Sequence, residues 1–452
     1  MISPARVAAY ETLCAVSAGS ADLPSAIAYT RGGLQDDRDR ALAAEIASGV
    51  QRWRAALDHV IASMSKRPLS KLDAEIVEIL RLSAYQLLHL SRVPASAVVD
   101  DAVNLARRAG KTSATGFVNA VLRQISRKRD ALPLPPRPAD TADRTAALDY
   151  LSVTLSHPRW LATRWLERFG FDVAEARMRF DNSPGSLTLR ANRLRITPDE
   201  LINSLGAEDV VLHRSRYAPD GIVVDNGNPL RSRLFEEGHF FVQDEASQLV
   251  ALLAGDRPPR RVLDACASPG GKTTAIAAAM EGPGMLVATD LRARRIELLR
   301  NTVAASGATN IRIVQADLRR PLPFHAPFDC VLVDAPCSGL GTLRRDPDIR
   351  WRRRESDLPA LAATELTMLQ RAADIVAAGG RLIYATCSSE PEENEGVVDA
   401  FLATTPGFVP VRATDASAQL SPDVVDARGH LRTQPDAHGL EAFFGAVLQR
   451  TV

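Results

Sequence analysis

Residues 264–274 read DACASPGGKTT and bring an aspartate, a pair of glycines and a lysine into one short stretch. The end of this stretch is similar to a phosphate-binding P-loop, whose pattern is G-x-x-x-x-G-K-[ST]. The first position of that pattern needs glycine for a tight turn, and here the position holds Cys266. The stretch therefore does not predict a nucleoside triphosphate site. Its glycines still let the backbone approach a ligand closely and open a following helix.

The chain after residue 260 alternates short apolar runs with helical stretches. This alternation predicts a parallel, doubly wound α/β sheet of the Rossmann type. In such sheets, ligands bind beyond the carboxyl ends of the strands. The run AFFGAVL at residues 442–448 is expected to form a late edge strand. The main strands are predicted at residues 261–266, 285–290, 311–317, 328–334 and 381–387.

Three of these strands end in or beside an aspartate, namely Asp264, Asp290 and Asp317. A carboxylate at the second position is well placed to accept hydrogen bonds from ribose hydroxyls. One at the third position suits an adenine amino group or a positively charged centre, and it repels polyphosphate. Each aspartate alone is also compatible with helix capping. Together they argue against ATP and favour a cationic nucleoside, a description that S-adenosylmethionine fits.

Two cysteines follow the last two main strands, Cys337 in the stretch DAPCSGLG and Cys387 in the stretch TCSS. Either cysteine alone would more often be a small buried residue. Two thiols at neighbouring strand ends beside a cofactor cleft instead predict nucleophilic chemistry. Cys14 and Cys330 lie within apolar helical and strand patterns, so we expect them to serve only in packing.

The rest of the chain predicts further domains before this α/β region. Residues 1–130 form an all-α bundle by their three- and four-residue apolar spacing, and the proline-rich residues 131–145 are a linker. Residues 146–240 are expected to be a small α+β module, and residues 241–452 the α/β domain. The predicted fold is multidomain: an all-α N-terminal bundle, a small α+β linker module and a C-terminal α/β Rossmann-like domain.

The composition is that of an ordinary globular protein, with 452 residues, 46% hydrophobic and 24% charged. No apolar run reaches the roughly 18 residues of a membrane span, and the polar N-terminus does not suit a secretory signal. The five cysteines lack CxxC spacing, so neither a disulfide framework nor a zinc site is predicted, and a cytoplasmic location is expected. The net charge of +1 does not by itself indicate a polyanionic partner.

Several stretches together resemble the signature motifs of the Nol1/Nop2/Sun family of RNA cytosine-5 methyltransferases. The N-terminal region resembles the NusB-like RNA-binding domain, and this fusion is typical of the bacterial small-subunit rRNA enzymes of the family. The likeness covers nearly the whole chain. The catalytic motifs are DACASPGGKT, VDAPCSGLGTLRRDPDIRW and ATCSSEPEENE, and the NusB-like stretches are SGVQRWRAALDHVI, VVDDAVNLARR and GFVNAVLR.

The resemblance implies methylation of cytosine C5 in small-subunit (16S) rRNA, with S-adenosylmethionine as methyl donor. By this likeness Cys387 is the nucleophile that adds to cytosine C6, and Cys337 releases the enzyme by helping to remove the C5 proton. Such covalent catalysis divides one difficult step into two easier ones. Asp334 would hold the N3/N4 edge of the base. Lys272 would lie near the same base and favour the thiolate.

The resemblance also implies the cofactor-binding residues and the partners. Loop residues would contact the cofactor largely through their backbone. RNA is the expected partner, no metal is expected, and a monomer would suffice because both RNA-binding regions lie in one chain. The implied cofactor residues are Cys266, Ala267, Ser268, Pro269, Gly270, Gly271, Lys272, Asp290, Asp317 and Asp334.

Two further stretches carry expectations of their own. In RRDPDIRWRRR, residues 344–354, arginines surround Trp351, which suits phosphate clamping with an aromatic platform. A solvated, salt-bridged helix start is an equal alternative for the last three arginines. Near the C-terminus the family usually has Asp-Gly-Phe-Phe, whereas this chain has Ala442 in place of the glycine. That departure concerns the last strand.

Other hypotheses remain open at this point. A tRNA-directed cytosine-5 methyltransferase would share the catalytic motifs. A non-catalytic RNA-binding assembly factor would have no need for both Cys337 and Cys387. A DNA cytosine methyltransferase would use Cys337 as nucleophile, but the RNA-type N-terminal domain disfavours it. An NTPase would bind ATP and not S-adenosylmethionine.

Overall fold

The computed structural model describes residues 2–255, 260–280 and 284–451. The chain divides into two compact units, each built from two pieces of sequence. Unit 1 comprises Met1–Pro184 and Leu343–Glu355, and unit 2 comprises Gly185–Thr342 and Ser356–Val452. We call the second piece of unit 1, Leu343–Glu355, the strap.

Unit 1 is helical. Its core holds large aliphatic side chains such as Leu13, Ile46 and Ile79, which are fully buried. Asp22 caps the second helix by accepting a hydrogen bond from the Ser25 backbone N–H at 2.8 Å. Its helices before the strap are α1 (Pro4–Ser17), α2 (Leu23–Arg31), α3 (Asp37–Arg52), α4 (Arg54–Ser65), α5 (Ala74–His89), α6 (Ala95–Arg108), α7 (Thr115–Arg127), α8 (Arg144–Asp149), α9 (Arg159–Phe169) and α10 (Phe171–Asn182).

The strap belongs to unit 1 because its side chains are bonded to the helices of that unit. A short turn of helix at Ile349–Arg352 presents the Trp351 indole N–H to the Gln51 carbonyl at 2.7 Å. Asp348 accepts a hydrogen bond from the Leu23 backbone N–H at 3.1 Å. The strap is therefore an integral part of the helical unit, although it comes from the middle of the α/β sequence.

Unit 2 begins with a small antiparallel sheet in the strand order β2-β3-β1-β4. Its core contains Leu189, Ile222 and Phe240. A capping box formed by Thr197 and Glu200 begins α11. The elements are β1 (Leu187–Ala191), α11 (Pro198–Gly206), β2 (Val211–Arg214), β3 (Gly221–Asn226), α12 (Arg233–Glu236) and β4 (Phe240–Val242).

The larger sheet of unit 2 has the order β10-β12-β9-β8-β5-β6-β7, with β11 paired to β12. Strands β7, β6, β5, β8 and β9 are parallel, whereas β12 runs antiparallel to β9 and β10. The strands are β5 (Arg261–Asp264), β6 (Met285–Asp290), β7 (Ile311–Gln315), β8 (Phe328–Asp334), β9 (Val376–Thr386), β10 (Phe408–Val411), β11 (Leu431–Arg432) and β12 (Phe444–Arg450).

Helices cover both faces of the larger sheet, as the strand–helix alternation predicts. Neighbouring residues of β5 point to opposite sides, so that Val262 belongs to one apolar core and Leu263 to the other. The helices are α13 (Glu245–Leu252), α14 (Gly271–Ala279), α15 (Ala293–Ser306), α16 (Leu358–Ala373), α17 (Glu395–Thr404), α18 (Ala413–Ala416) and α19 (Pro435–His438).

The late strand predicted at residues 442–448 is present as β12, but its predicted position at the edge of the sheet was wrong. The strand in this region, β12, pairs with β9 on one side and with β10 on the other. The outer neighbour, β10, has only four residues and one of them is a proline, so its sequence does not predict a strand. Among the described residues, no helix is long and apolar enough to cross a membrane.

Candidate active site

The loop after β5 forms the floor of a cleft at the carboxyl edge of the parallel strands. Gly270 has φ of +109°, and a Cβ at this position would lie 2.9 Å from Leu299 Cδ1. Gly271 begins α14, and a Cβ there would lie 3.2 Å from the Gln243 amide. The positive φ of Gly270 therefore requires a glycine, and Gly271 packs closely against the Gln243 side chain.

The lining of the cleft contains two carboxylates and one lysine. The lysine, Lys272, is paired with one of these carboxylates, Asp334. A polyphosphate would meet repulsion from these carboxylates. The lining residues are Val242, Gln243, Ser247, Asp264, Cys266, Ala267, Ser268, Pro269, Gly271, Lys272 and Asp334.

Asp264 lies at the end of β5 with almost no exposure to solvent. Burial raises the pKa of its carboxyl to about 7, with a smaller raising effect from the charge of Asp334. The hydrogen bond from the Thr273 hydroxyl at 2.6 Å acts in the opposite direction. The cleft therefore contains a carboxyl group that changes charge near neutral pH.

The other two strand-end aspartates lie beside the cleft, outside its immediate lining. Asp290 accepts a hydrogen bond from the Ser268 backbone N–H at 3.3 Å and pairs with Arg295 at 3.3 Å. Asp317 follows β7 and pairs with Arg319 at 2.9 Å. The hydrogen bond from Arg319 lowers the pKa of Asp317. Asp290 is thus bonded to the loop after β5, whereas Asp317 pairs with Arg319 and Arg320 of its own turn.

Lys272 and Asp334 form an ion pair between the cleft and the cysteines. The ammonium lies 2.6 Å from Asp334 Oδ2 and 5.6 Å from the centre of the Phe443 ring. Burial by itself lowers the pKa of Lys272, but the charge of Asp334 and the hydrogen bond to it outweigh burial, so that the pKa is raised. The charge of Cys387 raises the same pKa further. Lys272 is therefore a fixed cation close to Cys387.

Cys337 and Cys387 are brought together at the ends of β8 and β9. Their sulfur atoms lie 3.3 Å apart, Cys337 is buried and Cys387 is partly exposed. The pKa of the Cys337 thiol is well above its ordinary value, first because of the hydrogen bond with Cys387, then because of burial and the negative charges of Cys387 and Glu393. The pair thus has one deeply held thiol and one accessible sulfur.

Gly341 joins the two cysteine loops to the last strand. Its backbone N–H donates to the Cys387 carbonyl at 2.9 Å, and its carbonyl accepts from the Ala442 N–H at 2.9 Å. A Cβ at Gly341 would lie 2.0 Å from the Ala442 carbonyl oxygen. Ala442, which departs from the family pattern, therefore contacts the cysteine loops through its backbone, a role that its side chain does not alter.

A group of buried polar residues lies behind the cysteines, and sequence reasoning missed it. The Glu393 carboxylate accepts hydrogen bonds from the Ser338 and Ser388 hydroxyls at 2.6 Å and 2.5 Å. Next to it, Tyr384 Oη lies 2.9 Å from Glu365 Oε2. In the sequence, this group is indicated only by the acidic run EPEENE after Ser389, and acidic residues usually lie on an exposed surface.

The remaining cysteines are held by packing. Burial raises the pKa of Cys330 to about 12, and burial also raises the pKa of Cys266 well above its ordinary value. Burial is also the largest cause that raises the pKa of Cys14 in unit 1. These environments favour the thiol form and suit the packing role expected for Cys14 and Cys330.

The predicted phosphate clamp in the strap was wrong for its buried members. Arg350 is fully buried and donates to Asn182 Oδ1 at 2.9 Å and to the Ser156 carbonyl at 3.1 Å. Arg344 is also buried, with its guanidinium 4.0 Å from the centre of the Phe180 ring. These arginines hold the strap in unit 1, because they are buried, contact that unit and are inaccessible to RNA phosphates.

Comparison with protein-family models divides the chain in three. Residues 3–127 match the NusB family, and residues 157–231 match the ferredoxin-like domain of RsmF/B-like methyltransferases. Residues 251–449 match the family described as 16S rRNA methyltransferase RsmB/F. These matches confirm the predicted fold class, with its NusB-like bundle, α+β module and Rossmann-like methyltransferase domain.

The chain is also similar to curated proteins over most of its length. It is 36% identical over 405 residues to ribosomal RNA small subunit methyltransferase B of Pseudomonas putida, and the matched region covers 89% of each chain. It is 33% identical over 451 residues to the protein of the same name from Xanthomonas campestris, covering 98% of this chain and 96% of that one. The chain belongs to the RsmB/F family of 16S rRNA methyltransferases.

A solved structure supports the same conclusion about this RsmB/F methyltransferase. The crystal structure of PH0851 has 26% sequence identity and a TM-score of 0.81, covering 100% of this chain and 99% of that chain. The NSun6 structure from Pyrococcus horikoshii, at 21% identity and a TM-score of 0.58, covers 65% of this chain and 98% of that chain and shares its fold. The predicted resemblance to this group of RNA methyltransferases is thereby confirmed, and the chain is an enzyme of the methyltransferase class.

Proposed function

We propose that this RsmB/F methyltransferase methylates C5 of a cytosine in 16S rRNA, with S-adenosylmethionine as donor, through a covalent bond between Cys387 and cytosine C6. The observation that carries the proposal is the pair of thiols 3.3 Å apart beside the Lys272–Asp334 ion pair. Cytosine C5 is a weak nucleophile, and addition of a thiolate to C6 makes C5 an enamine carbon that can attack a methyl group.

Cys387 is proposed as the nucleophile because it combines exposure with a nearby cation. It is the more exposed of the two cysteines, and the charges of Cys387 and Lys272 act on each other. An adjacent ammonium stabilises a thiolate relative to a thiol. Cys337 is proposed to act after methyl transfer. Once Cys387 is bonded to C6, its hydrogen bond and charge no longer raise the pKa of Cys337, so that Cys337 can ionise. Its thiolate then accepts the C5 proton, the C5–C6 double bond re-forms, and the C6–sulfur bond breaks so that Cys387 leaves as a thiolate.

Asp334 and Lys272 are proposed to recognise the base. Asp334 is only partly buried and lies in the cleft lining, where its carboxylate could accept a hydrogen bond from the cytosine N3/N4 edge. A carboxylate there favours a protonated ring, which accepts the thiolate more readily. The base must leave any stacked helix to reach these groups.

S-adenosylmethionine is proposed to bind in the cleft whose lining includes Val242, Asp264 and Asp334, and when bound it would supply the methyl group. Its positive charge would be matched by the Asp264 carboxylate, because Asp334 is paired with Lys272. Asp290 would receive the ribose, as carboxylates after the second strand do in this class of sheet. Asp317 is proposed to face the adenine amino group or the positive centre of the cofactor, and its carboxylate also pairs with Arg319 and Arg320.

We also propose a division of labour along the chain. Residues 1–130 and 146–240 would bind RNA, residues 131–145 would connect them, and residues 241–452 would bind the cofactor and carry out the reaction. The family matches at residues 3–127 and 251–449 support the first and last of these roles.

The test is methyl transfer from labelled S-adenosylmethionine to unmodified 16S rRNA, with tRNA and DNA in parallel. Wild type, Cys387→Ala and Cys337→Ala are compared, and denaturing gels report covalent protein–RNA complexes. We expect transfer to 16S rRNA, no complex with Cys387→Ala, and an accumulated complex with Cys337→Ala. Cys14→Ala, a cysteine of unit 1, is the matched control and should behave as wild type.

The outcomes separate the competing hypotheses. A complex that persists in Cys387→Ala and disappears in Cys337→Ala would reverse the roles of the two cysteines. Methyl transfer to tRNA alone would make tRNA the substrate in place of 16S rRNA. Binding of S-adenosylmethionine without any methyl transfer would favour a non-catalytic assembly factor.

A further inference from the structure

The residues directly after the two cysteines share one buried acceptor. Glu393 is 0% exposed, and Oε1 of its carboxylate accepts from the Ser338 backbone N–H at 2.6 Å. Its Oε2 accepts from the Ser338 hydroxyl at 2.6 Å and from the Ser388 hydroxyl at 2.5 Å. Charge-assisted bonds of this length are stronger than neutral ones, so this carboxylate is a firm link between the two loops. We call Glu393, Ser338 and Ser388 the Glu393 clamp.

The clamp acts on the cysteines through very short stretches of chain. Ser338 is bonded covalently to Cys337, and Ser388 to Cys387. The two serine hydroxyl oxygens lie 3.2 Å apart, almost the same distance as the 3.3 Å between the two sulfur atoms. Because one carboxylate binds both serines, the separation of the loops is fixed by Glu393 on the side away from the cleft.

A neutral acid and a tyrosine hold the clamp from behind. Tyr384 Oη lies 2.5 Å from the Glu393 backbone carbonyl oxygen and 2.9 Å from Glu365 Oε2. Burial, followed by the charge of Glu393, raises the pKa of Glu365 to about 10. Glu365 therefore keeps its proton at neutral pH and adds no second negative charge behind the cysteines.

The charges around the two sulfurs are unequal. Lys272 interacts with Cys387 from the cleft side, whereas the charge of Glu393 acts on Cys337 from the buried side. A nearby cation stabilises a thiolate, and a nearby carboxylate stabilises a neutral thiol. The surroundings thus distinguish two chemically identical side chains that lie within contact distance.

We propose that Glu393 is a positioning residue that fixes the separation of Cys337 and Cys387 and keeps Cys337 as the neutral thiol of the pair. The proposal rests on the function proposed above and extends it, because it names the group that gives the two cysteines different roles. Glu393 acts only through the cysteine loops and does not touch the substrate.

The first test measures the reactivity of the two thiols in the absence of RNA. The full-length enzyme is treated with iodoacetamide at several pH values, and mass spectrometry follows alkylation of the Cys337 and Cys387 peptides separately. In Glu393→Gln we expect Cys337 to be alkylated severalfold faster at pH 8 than in wild type, since removal of the carboxylate charge lowers the pKa of its thiol. Ser388→Ala keeps the carboxylate charge and should leave the Cys337 rate within about twofold of wild type.

The second test measures single-turnover methyl transfer to 16S rRNA with the same variants. Glu393→Gln should lower the rate by about a hundredfold, because small displacements of reacting groups have effects of this size. Ser388→Ala should give a smaller loss, and neither variant should change the affinity for the RNA. Ser389→Ala is the matched control: this buried serine also follows Cys387, but its hydroxyl donates to Glu390 at 2.7 Å.

Each outcome bears on the clamp alone or on the reaction alone. If Cys337 is alkylated in Glu393→Gln at the wild-type rate, the proposed role of the Glu393 clamp is wrong. It is also wrong if Glu393→Gln and Ser389→Ala lose methyl transfer to the same extent. If the wild-type enzyme transfers no methyl group to RNA, the proposed function fails, while the alkylation experiment still decides the clamp. If Glu393→Gln does not fold, the difference between Ser388→Ala and Ser389→Ala in single-turnover transfer decides it.

Discussion

Asp264 illustrates how burial gives one residue a property that its letter does not show. A carboxyl with a pKa of about 7 is mostly neutral at pH 6 and mostly ionised at pH 8. Its neighbours in the cleft, Lys272 and Asp334, already neutralise each other. The charge that the cleft offers to a cationic ligand therefore depends on Asp264.

We predict that S-adenosylmethionine binds more tightly as the pH rises from 6 to 8, by about tenfold, because ionised Asp264 attracts the cation. Calorimetric titration at both pH values measures the effect. In Asp264→Asn the dissociation constant should change little with pH. S-adenosylhomocysteine, which lacks the sulfonium charge, is the matched ligand, and an equal pH dependence for both ligands in wild type would contradict the prediction.

Glu365 gives a second prediction, for stability. Its carboxyl titrates with a pKa of about 10 in the folded protein and near 4.5 when unfolded, so the folded state binds more protons between these values. The contribution of Glu365 to stability is complete below pH 4.5 and is lost as the pH rises toward 10. Glu365→Gln should therefore gain stability relative to wild type on going from pH 5 to pH 8.

Urea unfolding followed by far-UV circular dichroism at the two pH values tests this sign. Glu208→Gln, which alters an exposed glutamate of unit 2, is the control and should show no such gain. A wild type that gains stability relative to Glu365→Gln as the pH rises would mean that Glu365 is ionised in the folded protein.

At the residue scale, the sequence predicts the reactive residues better than it predicts the residues that position them. Cys337, Cys387 and Asp334 are recognisable because they follow apolar strand runs in distinctive motifs. Glu393 is not, because Glu390 and Glu392 precede it in the same acidic run and charged residues are usually exposed. Glu390 and Glu393 are both fully buried, and their burial depends on contacts that form only in the fold, such as the hydrogen bond from the Ser338 hydroxyl to Glu393.

At the scale of elements, the strap shows how a basic sequence acquires a structural role. Arg350 donates to carbonyl and amide oxygens from several parts of unit 1, and burial lowers its pKa to about 10. Removal of such a buried donor leaves its acceptors without hydrogen bonds. The arginine pattern predicted a phosphate site because sequence cannot distinguish arginines that face solvent from arginines that face a neighbouring chain segment.

We predict that Arg350→Met lowers the stability of unit 1 by about 3 kcal/mol, as for other buried hydrogen-bonded charges. Urea unfolding followed by tryptophan fluorescence measures it. Arg354→Met, at an exposed position of the same strap, should change stability by no more than about 0.5 kcal/mol. Equal effects of the two substitutions would show that the strap contributes little to unit 1.

At the scale of the whole molecule, the two units can be observed separately. All four tryptophans, Trp53, Trp160, Trp165 and Trp351, belong to unit 1. Periodicity and motifs predict the helical and α/β regions well because those patterns are local. They do not predict that Leu343–Glu355 joins unit 1, since this depends on contacts across about half of the chain.

We predict that S-adenosylmethionine at about 100 times its dissociation constant stabilises unit 2 by about 2.7 kcal/mol and leaves unit 1 unchanged. The far-UV circular dichroism transition should move to higher urea, whereas the tryptophan fluorescence transition should not. Equal movement of both transitions would show that the units unfold as one.

The strap also sets the order in which the protein can be completed during synthesis. Domains made of one continuous stretch can fold as soon as they leave the ribosome. Here the N-terminal helices emerge first, but the Asn182 and Ser156 oxygens that accept from Arg350 receive their donor only after about half of the α/β sequence has been translated. The helical unit is therefore finished late, and a gene fragment that encodes residues 1–184 alone would produce it without its last piece.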